Sequence, residues 1–397
     1  MKKLLNLLIC GIVPSLILVA CDSGGENTTN SNSSPTTNQI SQQTTTSQSK
    51  SLMINAVKTG ALTNGYLFIG AENFEQPSLG AWFGNVFQCT VTNGTIGSCS
   101  TLDPYWSNIN FSYVYRMNIA NNKLYIPDYQ SEIVYDCNIE SNMDVHRCQS
   151  GIPESATNFA NLLLSFATST NLDSNNNVYF TNLYTVGNSS QNNSAGNLVK
   201  CTNLNPVTAS GSIPCQQLFL TDNPQQTTAS RIGGSVMLHD TLYLANDNNS
   251  SISSYDTTTQ QYTSQFINVS QQIANGNVIY FWDLISDGTN LYGIYSAKPT
   301  TLRWVYQNFS PTGFSCSLTT KQCQSWNLGI GNIGGIRVYN NKLFATTNSG
   351  ATSTTNGSLY QFDLDNNGLP LIDSKQLLLQ TNKTTIQLTD FQFYPTN

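Results

Sequence analysis

The chain has 397 residues, and only 10% are charged, against ~25% in an ordinary soluble domain. A net charge of −6 with no basic run excludes nucleic acid as a natural partner. Two histidines, His146 and His239, leave little material for acid–base chemistry.

Met1-Lys2-Lys3 gives a short positive start, and Leu4 to Val19 is almost wholly apolar, ending in Leu18-Val19-Ala20-Cys21. A charged start, a short apolar core and a small residue before the cut make residues 1–20 a secretory signal peptide. The apolar run of about 16 residues is shorter than the ~20 a spanning helix needs, and Asn6 and Pro14 interrupt it. Leu-Val-Ala-Cys resembles the lipobox of bacterial lipoproteins; the alternatives are an ordinary signal peptide or a single-span anchor that contains a cysteine. The resemblance implies diacylglycerol and palmitate on Cys21, and a membrane partner reached through that lipid. Several acyl chains at ~0.8 kcal/mol per buried methylene anchor stably where one would not. Asp22 resembles an inner-membrane retention signal of enteric lipoproteins. Inner and outer membrane, periplasm and cell surface all stay open.

Residues 21–52 read as a tether. Glu26 to Lys50 is nearly all Asn, Thr, Ser and Gln, with Ile40 its one aliphatic residue. Such a segment buries too little apolar surface to offset its ordering entropy. Its random-coil span is roughly 30 Å, enough to hold a domain clear of lipid head groups.

Residues 53–397 repeat a short signature of turn residues followed by an apolar-aromatic strand. The six copies are 63–68 (TNGYLF), 121–126 (NNKLYI), 175–180 (NNNVYF), 239–244 (HDTLYL), 288–293 (GTNLYG) and 340–345 (NNKLFA). Their spacing of about 49 to 64 residues is blade-sized. A second strand follows most copies, as in Asn85–Cys89, Ile133–Cys137, Asn197–Cys201, Ile252–Tyr255 and Leu359–Phe362. A polar turn then leads to a last strand. A β-like segment precedes most copies, such as Phe111 to Ile119 or Ile336 to Tyr339, so each unit reads as four antiparallel strands. The first copy lacks that predecessor, while Asp390-Phe391-Gln392-Phe393-Tyr394 at the C-terminus has no unit of its own. The tail fits as the missing inner strand of blade one. The fifth copy is irregular, since Leu302 to Phe309 intervenes before Cys316.

Of the ten cysteines, Cys10 leaves with the signal peptide and Cys21 carries the lipid. The other eight form close pairs: Cys89 with Cys99, Cys137 with Cys148, Cys201 with Cys215 and Cys316 with Cys323. In an exported chain an even count reads as disulfides, here tying the third strand of a blade to its fourth. None of the pairs has the C-x2–4-C spacing of a zinc site.

The expected fold is therefore all-β, a six-bladed β-propeller, with a seven-bladed ring or an array of β-sandwich sheets as alternatives. The repeated openings resemble the NHL, SMP-30 and YncE-like propellers, a likeness of fold that says little about function.

Asp363, Asp365 and Asn367 open a D-x-D-x-N-G run like that of a calcium loop, but Ser374 stands where the bidentate glutamate belongs. A polar hairpin turn explains the run equally, so no cofactor is assigned and calcium remains the alternative. Resemblance to SMP-30 lactonases directs attention to acids near the channel. Asp283, with Arg231 and Arg337 near other inner strands, is the candidate set, although nothing spaces them together. Trp106, Trp282, Trp304 and Trp326 read as packing between blades, whereas Trp82 lies in a loop-like insertion suited to binding. The sequence thus points to a non-catalytic binding or scaffold propeller with a protein or glycan partner, not to an enzyme. The alternatives are a metal-dependent lactonase-like hydrolase, and an assembly factor resembling BamB, although no regular tryptophan-docking repeat is present.

Overall fold

The computed structural model describes residues 52–54, 58–73, 83–102, 114, 116–128, 133–139, 145–150, 167–182, 198–202, 215–218, 220, 232–247, 249–297, 312–349 and 353–396. The expected signal peptide, Cys21, most of the expected tether, Arg231, Trp82, Trp106 and Trp304 lie outside these residues. No helix among the described residues is long and apolar enough to cross a membrane.

A short strand β1 (Leu52–Ile54) precedes blade one, which holds β2 (Gly65–Asn73), β3 (Phe83–Thr92) and β4 (Thr95–Thr101). Blade two holds β5 (Asn118–Ala120), β6 (Lys123–Asp128), β7 (Ile133–Ile139) and β8 (Val145–Ser150). Blade three holds β9 (Ala167–Leu172), β10 (Val178–Asn182), β11 (Leu198–Cys201) and β12 (Cys215–Leu218). Blade four holds β13 (Ile232–Leu238), β14 (Thr241–Asn246), β15 (Ser251–Asp256) and β16 (Tyr262–Ile267), and the one-turn helix α1 (Val269–Ile273) follows it. Blade five holds β17 (Ile279–Ser286), β18 (Asn290–Ala297), β19 (Thr312–Ser317) and β20 (Cys323–Trp326). Blade six holds β21 (Ile333–Tyr339), β22 (Lys342–Thr347), β23 (Ser358–Leu364) and β24 (Pro370–Thr381). The last strand, β25 (Ile386–Pro395), returns to blade one and pairs with β2 from Gly65–Pro395 to Asn73–Ile386.

Each blade is an antiparallel meander, and blade one has the order β25-β2-β3-β4. The innermost strands touch in ring order: β25 with β5, then β9, β13, β17 and β21, and back to β25. That closed circuit makes the architecture a six-bladed β-propeller. The C-terminal tail is the inner strand of blade one, as its sequence suggests. Outside the ring the same seam is covered again. β1 pairs with β24, Thr59 N donates to Gly94 O at 2.9 Å, and Asn340 Nδ2 donates to Ala61 O at 2.5 Å.

The signature's turn residues have a backbone cause. Asn121–Asn122, His239–Asp240 and Asn340–Asn341 are two-residue hairpin loops with positive φ at both positions, between 45° and 60°. Such turns match the twist of the flanking strands, and Asn and Asp bear that conformation better than other side chains. The apolar residues after the turn enter strands packed on both faces. Alternate residues therefore serve opposite neighbours: Leu291 packs with blade four residues such as Ile252, and Tyr292 with blade six residues such as Leu343. The core is a set of layers between blades, which is why these strands are apolar at successive positions.

Cys89 on β3 bonds Cys99 on β4, and Cys316 on β19 bonds Cys323 on β20. Each pair stands in direct register, third strand to fourth. Cys137 and Cys201 are disulfide-bonded too, with Cys201 opposite Cys215 across β11 and β12. The side chains of Cys148 and Cys215 lie outside the described residues, as does that of His146 on β8. The irregular stretch of blade five, 302–309, also lies outside them.

Candidate binding site in the central channel

The inner strands surround a cavity of about 780 Å3, lined from all six blades. Its floor is a quartet of charges supplied by four blades. Arg116, just before β5, places Nε 3.0 Å from Asp283 Oδ1 on β17. Arg337 on β21 bridges the two acids, with Nη1 3.2 Å from Asp283 Oδ2 and Nη2 2.7 Å from Asp390 Oδ2 on β25. All four are at most 7% exposed, so the pairing is made at low dielectric, where an unpaired charge would be costly.

Backbone groups fill most of the remaining valences. Leu284 N and Ile336 N donate to Asp283 at 2.9 and 3.1 Å, and Met117 N donates to Asp390 at 2.6 Å. Arg116 donates to the carbonyls of Trp282, Gly334 and Thr389. Burial raises the Asp390 carboxyl, while Arg337 and then Arg116 draw it back down. Among the described residues, Arg337 Nε and Asp390 Oδ1 have no hydrogen-bond partner.

The walls above this floor differ in character. On blades two to four they carry hydroxyls, carboxamides and the carboxylates of Asp173 and Asp240. Asn118 Nδ2 donates to Thr170 O at 2.7 Å, and Asn171 Nδ2 donates to the Ser235 hydroxyl at 2.7 Å. Ser169 lies within hydrogen-bond distance of both Ser235 and Thr181. Thr170 Oγ1 is buried without a partner among the described residues. Ile119, Val236, Met237, Ile285 and Val338 supply apolar surface. The mouth opens where the first hairpin of each blade turns, and the tips there are tied together. Tyr394 donates to Asn122, Asn121 to Asn176, and Ser174 to Asp240. His239 is an exposed turn residue on this rim.

The residues singled out in the sequence are thus partly united. Asp283 and Arg337 come together, and Arg116 and Asp390 join them from positions the motif search passed over. Both Asp283 oxygens face guanidinium groups, so a divalent cation there would meet two positive charges at contact distance. The set does not fit a lactonase metal. Asp363 pairs with Lys342, whereas Asp365 Oδ1 accepts Asn367 N and Leu369 N at 2.8 Å each, capping its own hairpin turn between β23 and β24. Among the described residues no three His, Cys, Asp or Glu side chains gather as metal ligands. Trp282 donates its indole N–H to Ser296 at 3.0 Å, and both Trp282 and Trp326 pack in the layer between blades five and six.

Glu72 on β2 is a further buried acid of blade one. Glu72 accepts from Asn348 Nδ2 at 2.9 Å, no cation pairs with it among the described residues, and burial pushes its carboxyl up to about 8.

No protein-family model matches this sequence, and no curated protein matches it. Among solved structures, a chain of the nidogen/laminin complex superposes with a TM-score of 0.51 at 11% identity, over 83% of this chain and 98% of that one. The periplasmic gluconolactonase of Pseudomonas aeruginosa gives 0.46 at 10% identity, over 84% and 100%. A putative 6-phosphogluconolactonase of Bacteroides fragilis gives 0.42 at 12% identity, over 87% and 86%. The shared feature is the fold. This chain is a six-bladed propeller.

Proposed function

We propose that this propeller is a lipid-anchored binding protein of the bacterial cell envelope, whose central chamber holds a ligand without transforming it. The observation that carries the reading is the mutual pairing of Asp283, Asp390, Arg116 and Arg337. A general base needs a free acceptor within reach of its substrate, and an activated water needs a metal or such a base. Asp283 has both oxygens engaged by arginines and backbone amides. The quartet supports the chamber as a rigid, electrically neutral floor. Cys21 carries the lipid, residues 21–52 give reach, and the propeller meets its ligand in the periplasm or on the cell surface.

The test is an assay of the purified full chain against sugar lactones and simple esters, with and without added divalent cations. The expected result is hydrolysis at the buffer rate. Turnover that disappears in Asp283→Asn would replace the binding reading with a hydrolase.

A further inference from the structure

We infer that the chamber ligand is an organic cation, an ammonium group carried on an apolar body. The inference rests on the binding reading and names its ligand class. A cavity of about 780 Å3 lies within the ~300–1,000 Å3 of small-molecule sites. Which ligand suits it depends on the groups of the lining that the protein does not already engage.

The neutral polar groups are engaged with one another. Asn118 donates to Thr170 O, Asn171 Nδ2 donates to Ser235, and Asn171 Oδ1 accepts Met237 N at 3.0 Å. The Ser169 hydroxyl lies between those of Ser235 and Thr181. Arg116 and Arg337 are engaged by Asp283 and Asp390. An anionic ligand therefore meets no free counter-charge and would lose its hydration without compensation.

Apolar surface and negative charge remain. Val236 and Met237 near the end of β13 lead directly into the turn that carries Asp240. Asp173 and Asp240 both line the chamber, and no cation pairs with either among the described residues. Ser174 ties the two to one stretch of the rim: it follows Asp173 in the chain and donates its N–H and hydroxyl to Asp240 at 2.7 and 2.8 Å. Asp173 is buried, and its oxygens accept only neutral donors, from Asn175, Asn177 and Tyr179, which leave its charge uncompensated. Asp240 is half-buried, and each of its oxygens accepts one bond from Ser174, so each keeps a lone pair for a ligand N–H. Two carboxylates held on one low-dielectric rim favour a cation and repel an anion. An ammonium group at Asp240 places its apolar body against Val236 and Met237.

The experiment is titration calorimetry of the full chain in detergent, with probes of like shape and different charge. Benzylammonium is compared with benzyl alcohol and benzoate, and choline with its neutral isostere 3,3-dimethylbutan-1-ol. At least one cation should bind, about tenfold or more tighter than its neutral counterpart, and should weaken as salt is added. Asp240→Asn keeps the Ser174 bonds and the positive φ of the turn, which Asn bears well. It should weaken the cation about tenfold and leave the melting temperature unchanged. Asp256→Asn removes the same charge outside the chamber lining and should leave the affinity as it was. A neutral probe that binds as tightly as its cation, or benzoate binding tighter, would overturn the ligand class while leaving a binding chamber. Full affinity in Asp240→Asn, or an equal loss in Asp256→Asn, would overturn the placement on this rim. Silence from every probe would overturn the inference, whereas the binding reading itself falls to lactone or ester turnover.

Discussion

Tyr292 donates its hydroxyl to Asp287 at 2.7 Å, and the same bond recurs two blades away, from Tyr179 to Asp173 at 3.2 Å. Each aspartate also collects its own hairpin turn. Asp287 accepts from Thr289 N and Asn290 N, and Asp173 from Asn175 N and Asn177 N. The signature tyrosine therefore does two jobs: its ring fills the layer between blades, and its hydroxyl fixes the turn that begins its strand. Hydrogen bonds to charged groups contribute ~1.5–3 kcal/mol. Tyr292→Phe should lower stability by about that much in urea unfolding, with the fold retained. A loss below about 0.5 kcal/mol would show that the ring alone matters.

The floor of the chamber should be a unit. Asp283→Asn leaves Arg116 and Arg337 facing each other with Asp390 as their remaining acid, and breaking a buried pair costs ~3–5 kcal/mol. Arg337→Met should then cost clearly less in the Asp283→Asn background than in the parent, because its partner is already gone. Equal costs in both backgrounds would mean that the ion pairs are not coupled. Urea unfolding of the parent, the two single variants and the double variant decides between these outcomes.

How far the sequence reveals this molecule depends on the distance between cooperating residues. Asn121-Asn122 and Asn340-Asn341 announce their hairpins locally, and the tail at 390–394 is conspicuous because it has no unit of its own. The pairs Cys89–Cys99 and Cys316–Cys323 are legible for the same reason, since the members of each face each other across one hairpin. The quartet is different. Its members are brought together only by ring closure, so no spacing rule joins 116 to 390. One signal was available: in a chain with 10% charged residues, Arg116, Asp283, Arg337 and Asp390 each lie within or beside an innermost strand. Buried charge of that kind seldom stands without a partner. The divided walls of the chamber have no such signal, because Ser169, Thr170 and Asn171 look like any polar stretch of this chain.

Glu72 gives the protein a pH dependence of known sign. Its carboxyl moves from about 4.5 in the unfolded chain to about 8 when buried. Between those values the folded state keeps a proton that the unfolded state has released, so stability falls as pH rises through that window. Glu72→Gln keeps the shape without the titration. It should melt higher than the parent at pH 8, should gain little at pH 4.5, and should flatten the profile between. Parallel profiles for the two proteins would mean that Glu72 does not titrate there.

Every statement about where this propeller works rests on Cys21. Mass spectrometry of the N-terminal peptide, taken from the membranes of the producing cells, reads that residue directly. The account predicts that the mature chain starts at Cys21 and carries diacylglycerol on its sulfur, and that Cys21→Ala leaves the chain unacylated with residues 1–20 still attached. A chain that starts elsewhere, or an unmodified Cys21 thiol in the membrane-derived protein, would contradict it.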